Sequence, residues 1–454
     1  MGLSLTSGPA TLAFIGSPVA AMPQQFVLTT NRKTASAQAS TAVSDNGSSF
    51  CRYAYTSHPY KAGDVITGSA FSNAGLNVRQ TVTAIAANTF DTNLAWAAGY
   101  TGLTGTVTRT NDNLQIAATL KVGGVGVITG RLPVSSAGVA TFRVDRALLL
   151  EMEAVAPPTD DDTELDTETF LTYSLYAIEE FDDQDGVLKT ADDYTSGSYY
   201  CAYGYRPYQE LRTATAYMLT LGSYRSLMTR RGASPTVVMP RGARLWLTAL
   251  IEGGVGINDV RVESVQRAGS TETTEAGDQV STADAYCKVV GCYGPDIYTA
   301  DVDSATVYLK ANGTTRISEN ISVVFTNHSR YLTFYWLNHL GGWDAVYLTH
   351  YKMVAQNTTS RQVAWSPETA TYTIGEAQGK VYDVQSLDGF NLRGQVPTDG
   401  SARAFAGILE SEQVYLIDTD GKTWPVLVDG EGIQYGSDEI TYFDINVTYA
   451  VRQI

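Results

Sequence analysis

Apolar and polar positions along this chain recur mostly at a spacing of two, the period of a half-buried strand, and almost nowhere at helical spacing. The densest run is YLTFYWLNHLGGWDAVYLTHY, Tyr331 to Tyr351. It predicts two strands, 331–337 and 345–350, joined through Asn338, Gly341, Gly342 and Asp344. Aromatic and β-branched runs around a glycine-containing reversal are the signature of a β-hairpin, with Trp336 and Trp343 packed at its ends.

Elsewhere the pattern predicts strands at 10–15, 25–29, 123–129, 138–144, 170–178, 216–221, 243–251, 260–265, 306–310, 321–326 and 369–374. It ends in the alternating ITYFDINVTYAV. Short strands punctuated by Asn and Gly between 51 and 116 read as a small barrel or meander inserted into the first domain. The fold class is therefore all-β and multidomain, with tandem β-sandwiches and one inserted β module.

Boundaries follow from composition shifts. Pro157, Pro158 and the acidic TDDDTELDTET mark a linker at 156–168. It separates an N-terminal sandwich, 1–155, from a middle sandwich, 169–330, and a C-terminal β domain, 331–454, follows. No Lys or Arg occurs between Arg146 and Lys189, so the 159–185 stretch reads as an acidic surface facing solvent or a basic partner. The DDQDG at 182–186 is also compatible with a hard cation, although an EF-hand aligned on Gly186 would begin at Phe181.

Charge narrows the function classes. A net charge of −16 argues against a general nucleic-acid-binding face. No apolar run reaches the roughly 18 residues of a membrane span. Cys51, Cys201, Cys287 and Cys292 are too few and scattered for a disulfide framework. Neither they nor His58, His328, His339 and His350 fall at zinc-ligand spacing. No nucleophile elbow, phosphate loop or dinucleotide fingerprint is present, so no cofactor or catalytic residue is assigned.

Two clusters are candidates for contact with partners. The tyrosine-rich YTSGSYYCAYGYRPY contributes Tyr199, Tyr200, Tyr203, Tyr205 and Tyr208, amphipathic rings suited to binding a subunit or a glycan. The stretch 222–242, with Arg225, Arg230 and Arg231, reads as a flexible arm, as does 30–50.

The phrase FYWLNHLGGWDAVYLTHYK resembles the Trp-Leu-Asn-x-x-Gly-Gly-aromatic-Asp signature of virion proteins from tailed bacteriophages, notably those of Bacteroidetes hosts. LTSGPATLAFIGSPVAA, SAGVATFRVDRALL and the terminal GILESEQVYLID, TWPVLVDG and ITYFDINVTYAV are similar to further segments of such proteins. The resemblance implies a tail or tail-proximal structural component, made in the host bacterial cytoplasm and residing in the virion. Its partners would be copies of itself and other tail or connector proteins. A tail protein that binds host glycans, or a polysaccharide-degrading tailspike, is the alternative.

Overall fold

The computed structural model describes residues 3–15, 24–33, 37–152, 156–159, 162–204, 217–254, 256–282, 284–299, 301–365, 379–397, 404–411, 413–435 and 440–450. Their regular secondary structure is almost entirely strand, as the period-two pattern dictates, with one α-helix, Asp145–Glu151, among the described residues. Two compact units result. One comprises Met1–Ala13, Met22–Glu151 and Leu171–Cys201, and the other Phe14–Ala21, Met152–Phe170 and Ala202–Ile454.

In the first unit, Ser4–Ser7, Gln25–Thr29 and Val139–Arg143 form a three-stranded antiparallel sheet. A seven-stranded antiparallel sheet runs from Gln38–Ser40 to Gly105–Arg109. Its buried side includes Val43, Tyr53, Tyr55, Ile66, Val82 and Phe90. This module is offset from the 51–116 predicted for it. Residues 38–45 join it, whereas Asp112–Val122 leaves and pairs with Phe170–Asp182, Ile116 opposite Glu179. Alternation identifies a strand but carries no information about its partner.

A buried ion network fixes this arrangement. Arg32 is 3% exposed and bridges Asp64 and Glu179, both fully buried, with Nε 2.7 Å from Glu179. Arg109 Nε lies 2.9 Å from Asp64 on the latter's other side. The acidic surface expected at 159–185 is corrected here, because Glu179 is spent inside the unit and Glu180 is paired with Arg131 at 2.8 Å. Asp183 accepts backbone N–H bonds from Asp185 and Val187 at 2.9 Å each. That closes the DDQDG loop as a turn.

In the second unit two sheets face each other across one core. Thr163–Leu165, Cys287–Tyr293, Leu245–Ile251 and Met218–Leu219 form the first. Thr236–Pro240, Ile321–Thr326, Ser304–Ala311, Asp259–Ala268 and Thr271–Ser281 form the second, with Thr315–Arg316 paired at its side. Leu247, Ala249 and Val289 meet Val260, Val262, Val307, Leu309 and Val323 in one apolar cluster.

The residues predicted as a linker supply a strand of this sandwich, Thr163 pairing with Gly291. Asp166 beyond it lies 2.8 Å from the fully buried Lys288. Burial opposes ionisation of Asp166, but Lys288's charge and bonds from Lys288 and Thr169 prevail and hold it below the usual carboxylate range. An acidic run reads as a solvated tether only while its counter-ion, 122 residues away, is unseen.

The predicted hairpin forms as Leu332–Leu337 and Trp343–Leu348, in register from Leu332 opposite Leu348 to Leu337 opposite Trp343. Its strands end one sheet of seven, ordered Trp343–Leu348, Leu332–Leu337, Val414–Ile417, Thr423–Tyr435, Ile440–Tyr449, Gly379–Pro397 and Tyr351–Trp365. The strand predicted at 369–374 lies outside the described residues. All twelve hairpin-strand residues are buried, and the two faces serve different cores. Tyr335, Leu337, Trp343, Ala345 and Tyr347 join the sandwich cluster. Leu332, Phe334, Trp336, Val346 and Leu348 join a second cluster with Phe390, Phe405, Phe443 and Ile445. A strand buried on both faces reads as a continuous apolar run, which explains the density of this stretch. No domain begins at 331; the hairpin is a wall common to two cores.

Candidate functional site

The residues that carry the family resemblance meet at the tip of this hairpin. Asn338 closes the reversal: its N–H bonds Gly342 O at 2.8 Å, and its Oδ1 accepts from Leu340 N at 2.8 Å and Gly342 N at 3.2 Å. Gly341 has φ of +79°, and a Cβ there would meet Tyr203 O at 1.8 Å. At Gly342 a Cβ would meet Met228 O at the same distance. Both glycines are therefore required, the first by conformation and contact and the second by contact alone.

Asp344 is 1% exposed. Its carboxylate accepts from Thr229 Oγ1 at 2.5 Å, Arg230 N at 3.1 Å and Asn338 Nδ2 at 2.8 Å. Asn338 Nδ2 also donates to Met228 O at 2.9 Å. The tip thus holds a second segment, 227–234, that no local pattern associates with it. Glu319 fastens that segment at both ends, accepting from Leu227 N at 3.0 Å and Ser234 N at 2.9 Å. Burial pushes the Glu319 carboxyl up, against the lowering effect of those two N–H bonds.

This placement corrects the reading of 222–242 as a flexible arm. Arg231, 4% exposed, donates from Nη2 to Ala345 O at 2.5 Å, so its guanidinium is committed inside the fold and not to a partner. Arg230 pairs with Glu410 at 2.9 Å, and Arg225 donates to Met218 O at 3.3 Å. Paired arginines look like a surface feature in sequence because their acceptors, a strand carbonyl and a distant carboxylate, are invisible there.

Aromatic packing completes the site. Trp336 meets Phe405 edge-on at 6.2 Å, and Trp343 lies 5.9 Å from Tyr335 and 6.0 Å from Tyr415. Burial pushes the Tyr347 phenol up, although nearby Arg231 acts the other way.

The tyrosine cluster is divided between roles. Tyr199 packs edge-on against Phe26 at 5.3 Å and stacks on Tyr173 at 5.7 Å, which makes it a core-lining ring in the first unit. Tyr200 N donates to Thr11 O at 2.8 Å. Tyr203, in the second unit, supplies the carbonyl beneath Gly341 and packs against the sandwich cluster. Tyr205 and Tyr208 lie outside the described residues. Sequence reasoning missed Met228, Thr229, Thr248 and Glu319, which join the site through contacts with residues 20 to 115 positions away. Chemically the tip is a closed clasp: each carboxylate oxygen of Asp344 is occupied by donors from the chain itself.

No family model matches the chain, and no curated protein does. Among solved structures it is similar to the phage phi92 endosialidase, at 10% identity and a TM-score of 0.16. That match covers 95% of this chain and 54% of the other, so the chain spans about half the length of that protein. A likeness of this size carries no argument about fold or activity.

Proposed function

We propose that this protein is a structural component of a tailed-bacteriophage virion, a tail or tail-proximal element that assembles from copies of itself and docks other virion proteins. The observation that carries the reading is the clasp. The residues behind the resemblance, Asn338, Gly341, Gly342, Trp343 and Asp344, are buried and committed to holding two cores and the 227–234 segment together. A motif used this way maintains a rigid scaffold; it performs no chemistry on a substrate.

The C-terminal sheet supplies a means of assembly. Tyr351–Trp365 is the last strand in its order, 15 residues long without Pro or Gly, and displays Met353 and Val354, 54% and 47% exposed. A long edge strand of this kind pairs readily with another chain. The packing of Tyr199 and the clasping of Arg231 weigh against these two as receptor contacts.

Light scattering on the purified chain, with negative-stain images, tests the proposal. A closed ring or a discrete trimer is expected, and Met353→Lys together with Val354→Lys should reduce it to a smaller species. A wild-type monomer at all concentrations would overturn self-assembly.

A further inference from the structure

An open cleft on the second unit takes no part in the hairpin clasp. It has a volume of about 690 Å³ and lies over the outer face of the Ser304–Ala311 and Asp259–Ala268 strands. Thr306 and Tyr308 rise from its floor, and Tyr224, Thr315, Arg316 and Asn320 form its sides. This is within the size range of small-ligand sites. The lining is dominated by hydroxyl, amide and guanidinium groups and two aromatic rings.

Arg316 is the charged residue of this lining. Its guanidinium carbon lies 4.2 Å from the Tyr224 ring centroid and 5.8 Å from that of Tyr308, within cation–π distance of both rings. Nη1 donates to Asn320 Oδ1 at 2.9 Å. Its Nε–H is buried and has no acceptor among the described residues. No carboxylate lies at ion-pair distance from it among the described residues. Glu263, the acid on the same sheet face, is already engaged by Lys310 at 2.6 Å, Arg261 at 3.3 Å and the Tyr308 hydroxyl at 2.9 Å.

Arg231 likewise has no carboxylate at ion-pair distance among the described residues, but its guanidinium donates to a main-chain carbonyl, whereas Arg316 donates to the Asn320 side-chain amide. A guanidinium lying against aromatic rings keeps its in-plane N–H groups for a planar anion. Tyr224, 60% exposed, offers ring surface of the kind that packs against the C–H groups of a sugar. The threonine hydroxyls and the Asn320 amide suit a ligand rich in hydroxyls.

We propose that this cleft binds a carboxylate-bearing saccharide, its acid group on Arg316 and its ring against Tyr224. The site is independent of the hairpin clasp and of the virion reading. A lone arginine in an acidic protein gives a polyphosphate little to bind, and the polar lining offers an apolar peptide side chain no pocket.

The test is binding of the full-length protein to immobilised trigalacturonate, hyaluronan tetrasaccharide, cellotriose and chitotriose, followed by titration in solution. Retention of the uronate-bearing pair and not the neutral pair is expected. Arg316→Gln should weaken it about tenfold or more, the usual scale for a charge-assisted contact. Tyr224→Ala should abolish retention and Tyr224→Phe preserve it, while Arg241→Gln, outside the cleft lining, should bind as wild type. Thermal melting checks folding; if Arg316→Gln melts early, the exposed Tyr224 variants decide. No binding to either uronate probe, equal binding of neutral probes, or full binding by folded Tyr224→Ala would overturn the proposal.

Discussion

Gly341 and Gly421 have nearly the same backbone angle, φ of +79° and +80°, yet different surroundings. At Gly421 a Cβ would meet nothing within 4 Å, whereas at Gly341 it would strike the Tyr203 carbonyl. Gly421→Ala should therefore cost only the backbone term, about 1 kcal/mol. Gly341→Ala should cost more, on the order of 3 kcal/mol or above, because a packed main chain must move as well. Denaturant unfolding of the two variants compares strain alone with strain plus contact. Asp344→Asn removes one acceptor oxygen from a group that serves three donors. A loss of about 1–3 kcal/mol is expected, the usual cost of leaving a buried donor unpaired. If Asp344 were a catalytic acid on an open surface, the same change would leave stability untouched.

Among elements, the short strand Thr163–Leu165 depends on the ion pair beside it. The folded pKa of Asp166 lies below its unfolded value, so the folded state binds fewer protons across that interval. Its contribution is complete above the unfolded value near 4 and is lost as pH falls through the folded value. Lys288→Met strands the carboxylate in the core and should destabilise the protein by about 3 kcal/mol at neutral pH. The difference from wild type should shrink between neutral pH and the acid side of about 4 as Asp166 is protonated. Urea melts at both ends of that range measure it, and a gap independent of pH would assign the effect to packing alone. The hairpin shows the complementary case, an element that needs no counter-ion because both of its faces bury apolar side chains.

At the scale of the molecule, negative charge is managed by internal pairing in each unit: Arg32 and Arg109 with Asp64 and Glu179 in the first, Lys288 with Asp166 in the second. Buried pairs of this kind specify an arrangement more than they add stability, since desolvation offsets much of their attraction. They leave the surface predominantly acidic, and copies that assemble must overcome that repulsion. The proposed assembly should accordingly strengthen with ionic strength, as screening shortens the reach of like charges to about 8 Å near physiological salt. The same light-scattering series at low and moderate salt reads this directly.

Local pattern alone was enough for the strand content, the Gln25–Thr29 and Ile321–Thr326 strands residue for residue, and the hairpin with its Asn-Gly-Gly-Asp tip. These are local properties: period-two burial, β-branched side chains and a glycine at positive φ act within a few residues. Polar strands escaped notice for the same reason. Thr271–Ser281 is a strand because Asp259–Ala268 lies beside it, although its own alternation is nearly all polar. Long-range packing set where the acidic run would go, which face of the hairpin served which core, and that 227–234 would be a held strap. Each of those outcomes is a partnership between residues distant in sequence, and a partner's identity is written in neither member alone. The arginines illustrate it most plainly: Arg231 and Arg316 are the same residue type 85 positions apart. One is closed off by a strand carbonyl, and the other lies against two tyrosine rings.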